Sequence, residues 1–412
     1  MKEWKTYKLG DLINIQSGGT PNKAVTAYWG GNIPWISAKT MYVDFITDSD
    51  IHITEEGLKN GSKLAPVGSI LLLTRGSGLF NRIPVCLVKE AVAYNQDIKC
   101  ITVKDNSITS NTFIFFWLYS QKELLSGILE TTGIGAGKID SGRLLDINVT
   151  LPDIETQNKF ILLCSSIFEK IEINKQINDN LEQQAEALYK SWFIDFEPFC
   201  EEEFIESSLG SIPTGWKVGE LNDVCEIVGG GTPSKNHPEY YCERGIAWLT
   251  PKDLSVSKSK FSSRGSEDIT PEGYKNSSTK LMPRGTVLFS SRAPIGYISI
   301  ATNEICTNQG FKSAVPGIAG TGYLYYFLKA NTDKIESKAS GSTFKEASGA
   351  LMKSLEIIIP ADGILNQFEA ELTPILNKQE NIASEIQALT TLRDTLLPKL
   401  MSGELKINEI DC

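Results

Sequence analysis

The chain has 412 residues, 41% hydrophobic and 22% charged, with 40 Lys+Arg against 50 Asp+Glu. That length suits two to four globular domains with ample core, and the balance excludes global disorder and fibrous classes. No run of 18 apolar residues occurs and the N-terminus, MKEWKTYKLGDL, lacks an apolar signal core, so a soluble, cytoplasmic protein away from membranes is expected.

In chain order, the first half opens on Trp4-Lys5 with Leu9, then a GGTP turn (Gly18 to Pro21) and Trp35 within IPWIS. ITEEGLKN (Ile53 to Asn60), the apolar run ILLLT ending on Arg75, Asn95-Gln96 and Leu151-Pro152 follow. The same signatures return in the same order about 210 residues on. They are Trp216-Lys217 with Leu221, Gly230 to Pro233, Trp248 within IAWLT, ITPEGYKN (Ile269 to Asn276), Arg292 after VLFSS, Asn308-Gln309 and Ile359-Pro360. The chain is an internal duplication. In each copy, short β-rich runs alternate with Gly, Pro, Asn and Ser punctuation, which predicts a mixed α/β module.

After each module comes a long segment almost free of Gly and Pro, at Asp153 to Glu197 and Asp362 to Leu397. Apolar residues recur there at alternating spacings of four and three, the mark of a coiled-coil seam. The first seam runs Phe160, Cys164, Ile167, Ile171, Asn174, Asn178, Leu181, Ala185, Leu188, Trp192. The second runs Phe368, Leu372, Ile375, Gln379, Ile382, Ile386, Leu389, Arg393, Leu396, Leu400. Asn174 and Asn178 are either register-setting amides within the seam or an exposed stretch of helix. The expected fold is α+β: two homologous mixed α/β domains separated by two long antiparallel coiled-coil helices, with pseudo-twofold symmetry. The expected boundaries are 1–152 for the first domain, 153–200 for the central helix, 201–361 for a linker and the second domain, and 362–412 for the last helix and tail.

Charge is divided unequally. Residues 1–152 carry net +1 and 208–361 net +3, while 153–207 carry −9 and 362–412 carry −5. Acidic helices suit a protein partner, and slightly basic modules can hold a basic face, although +1 and +3 are also ordinary values.

Catalytic patterns are missing. His52 and His237 are the only histidines, and the cysteines (86, 100, 164, 200, 225, 242, 306, 412) form no C-x-x-C pair, so they read as reduced thiols. GIGAGKI (Gly133 to Ile139) has Thr132 where a P-loop needs its first glycine and Ile139 where it needs Ser or Thr. With GSTFK (Gly341 to Lys345) it reads instead as a polar loop offering Lys138 or Lys345 to a phosphate. The GGTP turns, with Gly19, Thr20, Gly231 and Thr232, either approach an anion through backbone N–H groups or are tight structural turns. Arg75 and Arg292, at strand ends, can grip guanine or phosphate, or form an internal salt bridge. Asn95-Gln96 and Asn308-Gln309 can read adenine or tie down a loop. Lys39 and Lys252 are candidate phosphate contacts, and Trp35 and Trp248 candidate core.

This ordered duplication around two long helices, with the boundary LGSIPTGWKVGEL (Leu209 to Leu221), resembles the specificity subunit of type I restriction-modification systems. The resemblance covers essentially the whole chain. It implies that each module is a target-recognition domain for half of an asymmetric bipartite site in double-stranded DNA. It further implies that the helices set the gap and dock two methyltransferase subunits, and that restriction/motor subunits join them. No cofactor is then expected on this chain, S-adenosylmethionine belonging to the methyltransferase and ATP and Mg to the motor. The expected function is non-catalytic recognition of DNA sequence. The alternatives are a coiled-coil scaffold with two protein-binding modules and an enzyme working through a single histidine or carboxylate.

Overall fold

The computed structural model describes residues 4–133, 135–292, 294–341 and 345–405. Ile134 of GIGAGKI, Ser342, Thr343 and Phe344 of GSTFK, and Cys412 lie outside the described residues. The chain divides into two compact units, Met1–Ile173 with Gln387–Cys412, and Asn174–Ile386. Both long helices, Ile154–Phe193 and Ile364–Ser402, are cut by this division. Each unit therefore holds one duplicated module, the start of one helix and the end of the other.

In the first unit a five-stranded sheet runs in the order Ile13–Ser17, Ile98–Val103, Ile70–Leu73, Val85–Val88, Phe45–Ile46. Its central strand, ILLL, is buried at all four positions, as an apolar run bounded by turn residues should be. The helix Asn111–Ser120 packs its aromatics (Phe113, Phe115, Phe116, Trp117) into the core with Phe160, Cys164 and Phe168 of the first long helix. Leu397, Leu400 and Met401 close that core from the end of the second, which runs on past Pro398 because these side chains hold it.

The second unit repeats the plan. Its sheet order is Cys225–Gly229, Lys312–Pro316, Val287–Ser291, Ile295–Ala301, Phe261–Ser262. The buried helix Thr321–Ala330 takes the place of Asn111–Ser120, and the Glu369 carboxylate accepts from the N–H groups of Gly322 (3.2 Å) and Tyr323 (2.8 Å) at its start. The first long helix stops at Phe193, short of Glu197, with Phe196 left-handed at φ 54°. There Tyr189, Trp192, Phe193, Phe199 and Trp216 form one aromatic cluster with Tyr323 and Phe368.

The seam residues behave as a seam. Ile167, Ile171, Asn174 and Ile382 are buried; Asn178, Leu181, Leu188, Ile375, Ile386, Leu389 and Leu396 are half-buried; none is exposed. Within the second unit the helices run antiparallel, since Asn174 Nδ2 donates to Glu385 (2.9 Å) while Gln379 Nε2 reaches the Asn178 carbonyl (3.4 Å) and Glu182 (3.1 Å). Asn174 is thus a seam amide, and the Asn178 Oδ1 finds no partner among the described residues.

Each module is tied to its helices by a buried ion pair beside the edge strand, and the polarity differs. In the first unit Asp44 meets Arg393 (3.3 Å), whose guanidinium lies over Tyr119 and Phe168. In the second Lys260 meets Glu182 (2.5 Å) below Tyr325 and Tyr326. No described helix is long and apolar enough to cross a membrane.

Candidate nucleic-acid interface

The GGTP turn, the tryptophan and the Asn-Gln pair, distant in sequence, meet at one corner in each unit. Gly19 N–H donates to the Tyr94 carbonyl (2.9 Å) and Gly231 N–H to that of Thr307 (2.8 Å). Trp35 Nε1 donates to the Gly19 carbonyl and Trp248 Nε1 to that of Gly231, each at 3.1 Å. Of the two alternatives for these glycines the tight structural turn fits and the anion cradle does not, because their N–H groups are already engaged. A Cβ at Gly18 would overlap the carbonyl oxygens of Tyr94 and Asn95, and one at Gly230 those of Thr307 and Asn308. Gly230→Ala should accordingly cost about 2–3 kcal/mol by overpacking, read as a lowered urea midpoint.

What the turns position is the next residue. Thr20 Oγ1 donates to Gln96 Oε1 (2.6 Å), and Thr232 Oγ1 likewise donates to Gln309 Oε1. Both glutamines are exposed, and with each Oε1 bonded to its threonine the amino group is left as the donor, suited to purine N7, guanine O6 or thymine O4. The asparagines beside them do different work. Asn95 Oδ1 accepts from Asp97 N–H (3.1 Å) and Asn308 Oδ1 from Gly310 N–H (2.9 Å), so both tie down the loop.

Lys39 and Lys252 are exposed at matching positions, each two residues after a Ser or Thr that bonds a turn or caps a helix (Ser37, Thr250). Trp35 and Trp248 are buried. Arg75 is exposed and without an ion pair among the described residues, while Arg292 lies 3.8 Å from Glu346.

The pairing of Lys138 with Lys345 is also corrected. Ile139 N–H donates to the Thr74 carbonyl and Ala347 N–H to that of Ser291, so these two are equivalent, and Glu346 stands where Lys138 does. Lys345 lies one residue earlier, its Nζ 3.5 Å from the Glu336 carbonyl. Two further lysines share the corner. Lys99 Nζ donates to Ser17 Oγ (2.5 Å), and Lys312 lies 3.3 Å from Glu346. The sequence carried their signal, since Asn-Gln-x-x-Lys occurs in both copies. His52 and His237 are bonded to Asp48 and Glu239 (2.9 and 2.8 Å), each at the surface of its module.

The arrangement is a repeated polar corner, with donors and cations at the ends of buried strands. Comparison with known proteins agrees. The family model for the type I restriction modification DNA specificity domain matches residues 1–183 and again 213–398. The MjaIX specificity subunit of Methanocaldococcus jannaschii is 27% identical, covering 99% of this chain and 95% of that one. The HindI specificity subunit of Haemophilus influenzae is 24% identical, covering 98% and 100%. The crystal structure of the S subunit from M. genitalium has the same fold, with a TM-score of 0.64 over 96% of each chain at 14% identity. On the doubled match of its two halves, the chain belongs to the DNA specificity subunits of type I restriction-modification systems.

Proposed function

We propose that each unit reads one half of an asymmetric bipartite duplex site through Gln96 and Gln309, with Lys39, Lys252 and Arg75 as phosphate contacts. The observation that carries this is the Thr–Gln corner, built twice with the same bonds and the amide exposed both times. Because the modules differ between the copies in the segments Ala24 to Trp29, Asn236 to Arg244 and Val256 to Gly265, the two half-sites differ and the site has a direction.

In this reading the chain is non-catalytic. The acidic helices dock methyltransferase subunits, which carry S-adenosylmethionine, and the motor subunit supplies ATP-driven cleavage. Support for docking is the concentration of the chain's excess acid on the helices and their flanks, −9 over residues 153–207 and −5 over 362–412. Selecting bound duplexes from a randomised pool with the assembled complex should enrich two short motifs at a fixed separation. Enrichment of no motif would favour a protein-interaction scaffold instead.

A further inference from the structure

The corner of each unit contains one position where the two copies carry opposite charge. In the first unit, Lys138 stands directly across the strand pair from Arg75. The flanking bond from Ile139 N–H to the Thr74 carbonyl (2.8 Å) makes this the non-hydrogen-bonded kind of pair, in which side chains come closest. Like charges at such a site repel. Glu130, across from Lys138 on its other side, is bound to Arg143 (3.3 Å), and Asp140, which feels the Lys138 charge, accepts from the N–H groups of Gly142 and Arg143. Arg75 has no acid of its own among the described residues.

In the second unit the same frame, with Ala347 N–H on the Ser291 carbonyl (2.9 Å), puts Glu346 across from Arg292. One carboxylate there draws both Arg292 (3.8 Å) and Lys312 (3.3 Å). The first unit thus leaves its strand-end arginine and the facing lysine open. The second closes the arginine on an acid.

We infer that the first unit clamps a backbone phosphate between Arg75 and Lys138, and that Glu346 removes Arg292 from that duty in the second. An anion held between them relieves the repulsion of the first pair, the guanidinium binding through its fork and the ammonium as a point charge. The carboxylate of Glu346 repels phosphate, so the two units hold their half-sites with unequal electrostatics. This rests on the DNA-reading function proposed above and adds the residue position, Lys138 in one copy and Glu346 in the other, that sets the inequality.

The test is the salt dependence of binding by the full chain in its methyltransferase complex to an arbitrary duplex of about 40 base pairs, where each phosphate contact adds about 0.9 to the slope of log affinity against log salt. Arg75→Ala and Lys138→Gln should each flatten the slope by about 1, and Arg292→Ala should leave it nearly unchanged. Glu346→Gln, which frees Arg292, should steepen it by about 1. In a Lys138→Glu background, Arg75→Ala should become silent. Equal flattening by Arg75→Ala and Arg292→Ala would overturn the inference, as would no effect of Lys138→Gln, while leaving DNA reading intact. A wild-type complex with no salt-dependent duplex binding would overturn the DNA-reading function itself and this inference with it. Gln replacements at these solvent-accessible strand positions keep the backbone pairing, and an unchanged unfolding midpoint identifies variants whose slopes report binding.

Discussion

Glu182→Ala should destabilise the second unit by about 3 kcal/mol, the lower end of the cost of breaking a buried ion pair. Glu182 accepts from Lys260 (2.5 Å), Lys329 (2.6 Å), Gln379 (3.1 Å) and Tyr326 (3.1 Å), with its side chain 23% exposed and that of Lys260 13%. Its removal leaves two ammonium groups close together, the largely buried Lys260 without a bonded carboxylate and Lys329 with Glu186 alone (2.7 Å). The rings of Tyr325 and Tyr326, 4.7 and 4.8 Å from Lys260, offset only part of that. Burial alone would raise the Glu182 carboxyl, but the charge of Lys260 and hydrogen bonds from Lys260, Lys329 and Gln379 outweigh it and hold the group at about 2. At Lys260 burial, with a smaller contribution from the repulsion of Lys329, outweighs the attraction of Glu182 and Glu186 and pulls the ammonium down to about 8.

The pH consequence follows from Glu182. Its folded value lies below the ordinary 4.5, so the unfolded chain takes up the proton first as pH falls. The contribution is complete above the unfolded value and is lost as pH drops from about 4.5 toward 2. Urea midpoints at pH 7, 4 and 3 should fall more steeply for the wild type than for Glu182→Gln. Parallel curves, or a loss under about 0.5 kcal/mol for Glu182→Ala, would show a pair weakened by solvent.

Inserting seven residues, two helical turns, into each long helix should lengthen the helices by about 10 Å and widen the gap between half-sites by roughly three base pairs. The bases within each half-site should stay the same, because the Thr20–Gln96 and Thr232–Gln309 corners are built inside their own modules. Seven residues preserve the alternation of four and three in the seam, so pairing is retained. Selection of bound sequences reads both outcomes together. An unchanged gap would assign the spacing to the modules and not to the helices.

The duplication made the fold legible. Repeated strand signatures gave two sheets of the same strand order, and the four-three spacing located both helices and their seam. Gln96 and Gln309 were legible for the same reason, since each lies beside the GGTP turn of its own copy only after folding but repeats with it in sequence. Register was not legible. Matching Lys138 to Lys345 is the natural alignment of GIGAGKI with GSTFK, yet the strand frame places Glu346 at that position, a shift of one residue that reverses the charge. Nor does local pattern show where a backbone N–H finds its acceptor, which is why the GGTP glycines could be read either as an anion cradle or as a tight turn. The Asp44–Arg393 tie joins residues too far apart in sequence for any spacing rule to connect.

The most direct measurement is the map of methylated adenines in a host that carries the methyltransferase subunits with and without this chain. With it, methylation should fall on one directional two-part motif, and substitution of Gln96 by Ala should relax one part while substitution of Gln309 relaxes the other. A map that is the same in the presence and absence of this chain would contradict the account.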